Sequence, residues 1–275
     1  MERPDAHRPI PVRAPRFALD EAPRAWLAGS PLASHVVDAL SLLFPDGERF
    51  FIRSVRHYMD VVDREPALRA RVRGFFGQEG RHGHAHDRFN DRLEAHGLAI
   101  EPFLRFYRRL AWDTIEPSVP PHLRLATTAA LEHLTATLAE LALDSPILDD
   151  ADPGVRELLL WHACEEIEHK SVAFDVLARV DARRRTRVAG LAIGSGVLAL
   201  FFGAALGSLM WQERRLPPEP APDRGGRVLG ALRRRGPGLV RSFLAFTRAG
   251  FHPDERDSYP LARDHLASLD ARAAA

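Results

Sequence analysis

The sequence predicts an all-α protein, and three observations support that prediction. From about Ser34 onward the apolar residues recur at intervals of three and four, which is the period of an amphipathic helix. Patterns typical of strands are scarce. Proline and glycine divide the periodic segments, as where Pro66 opens one helix and Gly97 ends it. The chain has 275 residues and is 45% hydrophobic, enough to bury a core.

Glu48 lies on the apolar stripe of a helix that is predicted to follow the turn at residues 44–47 and to end near residue 63. A glutamate in the first turn of a helix often serves only to oppose the helix dipole. Glu48 therefore has two interpretations, a dipole partner at the surface or a buried metal ligand.

The next predicted helix, residues 66–95, carries three ionisable side chains within its apolar inner row. Glu79 and His82 form a Glu-x-x-His pair, and His86 lies one turn further on. The apolar members of this row are Leu68, Val72, Phe75, Phe89 and Leu93. The alternative is a solvated helix with scattered histidines, and the regular steps of four and three argue against it.

Glu132 is the candidate ligand of the helix predicted over residues 122–143, where it shares a face with Leu125 and Ala139. Taken by itself it is equally a charge at the edge of a buried face. The helix before it, residues 100–116, has no acid and histidine in register. That helix is predicted to belong to a long connection, which lets the next helix enter from the far end of a bundle.

The helix predicted over residues 153–180 contains the densest cluster of candidate ligands. His162, Glu166 and His169 are spaced four and three apart, so their side chains lie on one face. The row continues with the apolar residues Val155, Leu158, Ala173 and Val176. Because isolated polar groups in a buried stripe are costly, a metal ion is expected to compensate them.

The four helices together supply the ligand set of di-metal four-helix bundles, one glutamate from each of two helices and a Glu-x-x-His pair from each of two others. The members are Glu48, Glu79, His82, Glu132, Glu166 and His169. Two divalent cations need about four carboxylates for charge neutrality, and imidazoles complete each metal while leaving positions open. Iron is the expected metal, with manganese and zinc as alternatives.

Four blocks of the sequence carry a resemblance to known families. They are FPDGERFFIRSVRHY, FFGQEGRHGHAHDRFN, LEHLTA and WHACEEIEHKSVAFDV. Together they resemble the bacterial family described as predicted metal-dependent hydrolases, over about residues 40–180. The order and spacing of the ligands also resemble the ferritin-like di-iron carboxylate superfamily, which implies a ferritin-like four-helix bundle with a crossover helix.

One helix carries a second resemblance. His162-x-x-x-Glu166-x-x-His169 is similar to the extra-histidine helix of the di-iron N-oxygenases that oxidise arylamines, which implies His162 as a seventh ligand. His86 has no counterpart in the six-ligand pattern and is either an additional ligand or a hydrogen-bond partner of one. Glu165 lies off the inner row and either substitutes for a ligand or supports one. No catalytic residue beyond the ligands is expected.

Three functions follow from these motifs as expectations. The leading one is an enzyme whose di-iron centre activates O₂ and oxidises a small, apolar substrate. The second is hydrolysis by a metal-bound hydroxide, as the family description implies. The third is metal storage or a membrane-associated binding protein without catalysis. A net charge of +1 gives no pull toward nucleic acid, and the single cysteine, Cys164, fits a reducing cytoplasm.

Residues 188–211 contain no charged side chain, a length sufficient to span a bilayer. Basic residues flank both ends, and they are Arg183, Arg184, Arg185, Arg187, Arg214 and Arg215. Since basic residues favour the cytoplasmic side, a hairpin bent near residues 194–196 or a segment lying on the inner face of the membrane is expected. The alternative is a buried hydrophobic helix in a soluble oligomer, such as a homodimer.

The predicted organisation has four parts. These are an N-terminal tail (1–33), a di-metal helical bundle (34–182), an apolar segment (183–215), and a linker followed by a C-terminal helical tail (216–275). Within the last part, residues 216–240 are predicted to be a Pro/Gly/Arg linker and residues 238–251 a short amphipathic helix.

Overall fold

The computed structural model describes residues 10–219 and 223–274, with side chains through residue 271. Within these ranges the secondary structure is helical, and β pairing is limited to an isolated antiparallel bridge between Leu27 and Ala151. The all-α prediction is confirmed.

The α-helices follow one another along the chain with short connections. They are α1 (Pro31–Ser41), α2 (Phe44–Arg56), α3 (Met59–Val62), α4 (Pro66–Ala95), α5 (Glu101–Leu110), α6 (Glu116–Ser118), α7 (Pro121–Leu143), α8 (Pro153–His169), α9 (Val172–Val180), α10 (Arg184–Glu213), α11 (Gly225–Ala245) and α12 (Tyr259–Ala274). A π-helical turn, Ala111–Ile115, joins α5 to α6. Helices α2, α4, α7 and α8 pack on one another and carry all the predicted ligands.

Two apolar clusters lie on either side of the predicted ligands. One cluster contains Val72, Phe75, Leu125, Ala129 and Ala173, and the other contains Phe89, Ala139, Leu158, Trp161 and Leu266. On α4, α7 and α8–α9 the ligand positions fall between members of the first cluster and members of the second. The packing that stabilises the fold therefore also shields the ligands from water.

The N-terminal segment packs against both apolar clusters, with Ile10 in the first and residues from Phe17 onward in the second. Phe17, Trp26 and Leu27 are buried in that cluster. The indole Nε1 of Trp26 also donates a hydrogen bond to Asp38 Oδ1 at 3.0 Å. Docking on the body orders residues 10–33, a segment whose sequence shows no helical period.

Helix α10 runs without a break from Arg184 to Glu213, so the hairpin expected near residues 194–196 does not form. One face packs on α7 and α1, and a Cβ at Gly190 would lie 2.4 Å from the carbonyl carbon of Ala126. Such close approach to α7 requires glycine. Among the described helices, α10 is the one that is long and apolar enough to cross a membrane.

The segment predicted as a linker, residues 216–240, is helical from Gly225 onward in the structure. Helix α11 begins at Gly225 and includes Pro237, and the short helix predicted after residue 238 is its C-terminal part. Val228 and Ala231 are buried where α11 packs on the body. That packing outweighs the low helix propensity of the glycines and the proline.

Candidate metal centre

Glu48, in the first turn of α2, points into the interior rather than toward solvent. It is buried, and neither carboxylate oxygen has a hydrogen-bond partner. A glycine on α4 makes room for it, because a Cβ at Gly83 would lie 3.0 Å from Glu48 Oε2. Of its two interpretations, the surface dipole partner is excluded.

Helix α4 places Glu79 and His82 on the same interior face. Both oxygens of Glu79 lack hydrogen-bond partners, and Oε1 lies 3.4 Å from Nε2 of His169. His82 Nε2 lies 3.0 Å from Glu165 Oε2, while its Nδ1 has no hydrogen-bond partner. Glu165 therefore takes one nitrogen of His82 and leaves the other directed at the site.

Glu132 of α7 is, like Glu48, a predicted ligand that stands alone on its helix. Its Oε2 lies 3.1 Å from His169 Nδ1, and its Oε1 is buried without a partner. The edge-of-core alternative is excluded, because Glu132 has no accessible surface.

Helix α8 places the carboxylate of Glu166 among three imidazole rings. Its Oε1 lies 2.9 Å from His162 Nε2, 3.8 Å from His82 Nδ1 and 3.8 Å from His169 Nε2. Its Oε2 accepts a hydrogen bond from the hydroxyl of Thr135 on α7. Thr135 thereby orients the carboxylate so that Oε1 faces the histidines.

These side chains form two overlapping groups whose ligand atoms lie within 4.8 Å of one another. One group is Glu79, His82, Glu166 and His169, and the other is Glu48, His82 and His162. Glu132 adjoins the first group through His169. The structure thus gathers all seven predicted ligands, and their binding of metal stays a prediction.

The electrostatics of the site fit the binding of cations. Burial, followed by repulsion from the other carboxylates, raises the pKa of Glu48 and Glu79 well above the ordinary value. Burial likewise raises the pKa of Glu132, with the charge of Glu166 acting in the same direction. Without a cation, these oxygens are buried acceptors that lack donors, which is costly. Divalent ions would supply the missing positive charge.

The imidazoles are also suited to a metal. Burial, followed by repulsion from neighbouring imidazoles, lowers the pKa of His82 and His86 well below the ordinary value. Neutral imidazole has a free nitrogen lone pair, which is the form that binds metal ions.

Behind His82 lies a buried ion-pair network centred on Arg13, a residue that no sequence pattern singles out. Arg13 lies 3.2 Å from Glu165, 2.6 Å from Glu168 and 2.7 Å from Asp270. Burial raises the pKa of Glu165 to about 8, and the hydrogen bond from Arg13 opposes that rise. Glu165 is thus a hydrogen-bond partner of His82, and it is in neither candidate metal group.

An apolar cavity of about 480 Å³ reaches the site from the side of α1 and α11. Its inner end is lined by Phe44, Thr135, His162 and Glu166. Its walls are aliphatic, and they include Val36, Leu40, Leu138, Ala139 and Leu159. A smaller cavity of about 110 Å³ next to α10 shares Leu40, Phe44, Thr135 and Leu138 with it.

Comparison with known protein families gave a match over most of the chain. A family model described as "Predicted metal-dependent hydrolase" matches residues 11–257. No curated protein and no solved structure matches the chain.

Proposed function

The chain belongs to the predicted metal-dependent hydrolase family, and on that premise we propose that it is an enzyme built around two divalent metal ions. The observation that carries this proposal is the enclosed set of four carboxylates and three imidazoles. Four carboxylates balance the charge of two divalent ions, and the two groups that share His82 offer two adjacent positions.

We propose iron as the metal, with manganese and zinc as alternatives. Carboxylates and imidazoles suit all three ions, whereas a thiolate site would select softer metals. Burial raises the pKa of Cys164 to about 12, and this residue is in neither group. A thiolate ligand is therefore not part of the proposal.

The proposed reaction is the oxidation of a small apolar substrate by O₂. When bound, a pair of redox-active ions would supply electrons to O₂ at coordination positions that the protein leaves open. In the overall balance, one oxygen atom enters the substrate and the other leaves as water, with two electrons from an external reductant and two protons.

The protein's own residues bind and shield this substrate. The aliphatic walls of the cavity favour an apolar molecule, and they exclude water from its inner end. Phe44 packs edge-on against His86 and His162, with ring centroids 4.7 and 5.1 Å apart, and closes that end. Thr135 holds Glu166 so that its Oε1 stays directed at the imidazoles.

The lining of the cavity favours oxidation over hydrolysis. Cleavage of an ester or amide is assisted by donors placed where negative charge develops on the substrate oxygen. At the described inner end the hydroxyl is that of Thr135, and it already donates to Glu166. Hydrolysis remains the second candidate, because the family description names it.

One experiment separates the candidates. Protein purified without added metal is analysed for metal content, then assayed for O₂ uptake with a two-electron reductant and an apolar probe such as toluene. The same preparation is tested anaerobically, with Zn²⁺ or Mn²⁺, for cleavage of aryl esters and amides. Reductant-dependent O₂ uptake with hydroxylated product supports oxidation, and anaerobic cleavage alone supports hydrolysis. Bound metal with neither reaction overturns the enzyme proposal in favour of storage or binding.

We also propose a cytoplasmic enzyme whose α10 lies on the inner face of the membrane. Leu200 and Trp211 are about half exposed on its outer face, and basic residues flank both ends. Both ends are tied to the body, since Arg184 donates to the carbonyl of Thr247 and Glu213 accepts from His35. A helix held at both ends lies along a surface, which favours contact with the membrane over crossing it.

A further inference from the structure

We propose that a hydrogen-bond chain from Asn90 through Ser41 and His86 keeps a proton on Nδ1 of His162, so that Nε2 is the nitrogen with which His162 binds metal. His86 is then a positioning residue and not a ligand. The inference deepens the proposed metal site, and it rests on that proposal only for what binds at Nε2.

The hydrogen-bond chain starts at the backbone carbonyl oxygen of Ser41, which can only accept a hydrogen bond. Asn90 Nδ2 donates to the backbone carbonyl of Ser41 at 3.1 Å. Because a carbonyl has no proton, the amide nitrogen must face it, and the amide oxygen must face the Ser41 hydroxyl. That hydroxyl lies 2.7 Å from Asn90 Oδ1 and donates its single proton to that oxygen.

The hydroxyl of Ser41 then has only lone pairs left. His86 Nδ1 lies 2.8 Å from Ser41 Oγ, so Nδ1 must carry the proton and donate. The ring of His86 packs edge-on against Phe44 and Phe89, and no carboxylate is among its partners in the described part of the chain. A doubly protonated His86 would be a buried charge without a counterion, so its Nε2 has no proton.

The same reasoning sets the next ring. His86 Nε2 lies 2.7 Å from His162 Nδ1, and since Nε2 accepts, Nδ1 of His162 must donate. His162 Nε2 is then the nitrogen that can give up its proton to bind metal. Both nitrogens of His86 are used in the chain, and His86 is in neither candidate metal group.

The far end of the chain shows why the direction matters. His162 Nε2 lies 2.9 Å from Glu166 Oε1, and in the metal-free protein a proton on Nε2 is donated to that carboxylate. Because Nδ1 keeps its own proton, a cation bound by His162 takes the place of the proton on Nε2. The four residues thus make Nε2 the metal-binding nitrogen, and a reversed chain would put the lone pair on Nδ1, away from Glu166.

The direct test reads the tautomer in the metal-free protein. Protein labelled with ¹⁵N-histidine is examined by NMR, and His162 is assigned by comparison with the His162→Gln variant. We expect His162 to be protonated at Nδ1. A wild-type protein in which Nδ1 of His162 carries no proton overturns the inference.

Two variants at position 90 provide a matched comparison. Asn90→Leu removes the acceptor for the Ser41 proton, which frees the hydroxyl to donate to His86 and lets the chain reverse. Asn90→Asp keeps an acceptor oxygen and should preserve the direction. We expect Asn90→Leu to show His162 in both tautomers and to bind Co²⁺ about 10- to 100-fold more weakly, as for other lost partners of ligating histidines. Asn90→Asp should keep the wild-type tautomer of His162 and the wild-type Co²⁺ affinity.

Helical circular dichroism and melting temperature are recorded for both variants to identify loss of folding. If Asn90→Leu is unfolded, Ser41→Ala tests the same link, because it removes the oxygen that accepts from His86. Equal Co²⁺ affinity in folded wild type, Asn90→Leu and Asn90→Asp overturns the inference. Failure of the proposed function would look different, as an Nδ1-protonated His162 in a protein that binds no metal.

Discussion

Glu165 and His82 form a carboxylate–imidazole pair, with 3.0 Å between Glu165 Oε2 and His82 Nε2. The pair leaves His82 Nδ1 facing Glu166. A carboxylate behind a ligating histidine fixes the orientation of the ring and increases its basicity. The pair thus connects the candidate metal groups to the ion-pair network of Arg13.

This pair leads to a first prediction. Glu165→Leu should weaken metal binding about 10- to 100-fold, because His82 loses the group that orients it. Glu165→Gln keeps an acceptor oxygen and should lose much less. Titration of metal-free protein with Zn²⁺ or Co²⁺ measures the affinities, and equal affinities for the two variants would contradict the role given to Glu165.

Glu166 Oε1 lies within 4 Å of a nitrogen of each of the three imidazoles, so its removal should have the largest effect on metal content. We expect Glu166→Ala to lose most bound metal while staying helical. Glu94→Ala, an exposed position on α4, is the control and should keep the wild-type stoichiometry. Elemental analysis measures the metal content, and circular dichroism measures the helicity. An unchanged metal content in Glu166→Ala would show that the ligand assignment is wrong.

Two glycines of α4 offer a matched test of the space around Glu48. A Cβ at Gly83 would lie 3.0 Å from Glu48 Oε2, whereas a Cβ at Gly80 would meet nothing within 4 Å. Gly83→Ala should displace the carboxylate and weaken metal binding. Gly80→Ala should leave binding unchanged and stabilise the helix by up to about 1 kcal/mol. The reverse order of metal affinities would refute the placement of Glu48.

The metal-free protein should lose stability as pH rises. Burial and the charges of Glu79 and Glu166 raise the pKa of Glu48 well above its ordinary 4.5, so the folded state retains a proton that the unfolded state releases. The stabilisation is present below the ordinary pKa, and it is lost as pH rises toward the raised one. Between about pH 5 and pH 8, wild type should lose up to about 1.4 kcal/mol per pH unit relative to Glu48→Gln.

Urea unfolding of both metal-free proteins at several pH values measures this difference directly. Contributions common to the two proteins cancel, because only position 48 differs. A constant difference across the pH range would mean that Glu48 is ionised in the folded metal-free protein.

The outer face of α10 should bind anionic membranes. Leu200→Glu with Trp211→Glu places charge on that face and should reduce co-sedimentation with vesicles that contain phosphatidylserine. Leu229→Glu, at an exposed position on α11, is the control. Binding should also weaken with added salt, because the flanking arginines contribute electrostatic attraction. Protein that never sediments with vesicles rules out the membrane proposal.

The site was predicted largely from the sequence because ligand spacing and apolar spacing coincide on α4 and α8. A side chain held at intervals of three and four within a buried row has only one direction in which to point. Glu48 and Glu132 were ambiguous because each stands alone on its helix. Their direction was decided by packing, with Gly83 opposite Glu48 and His169 opposite Glu132.

The sequence alone determined the all-α class, the helices that carry ligands and the inward direction of the Glu-x-x-His pairs on α4 and α8. Those features depend on local periodicity, which any single helix records. Only the tertiary structure decided the course of the N-terminal segment, the unbroken α10, and the partners Arg13, Ser41, Asn90 and Thr135. These depend on contacts between residues distant in the chain, whose partners no local pattern specifies. The direction of each hydrogen bond behind His162 belongs to the same class, because it is set by which atoms meet.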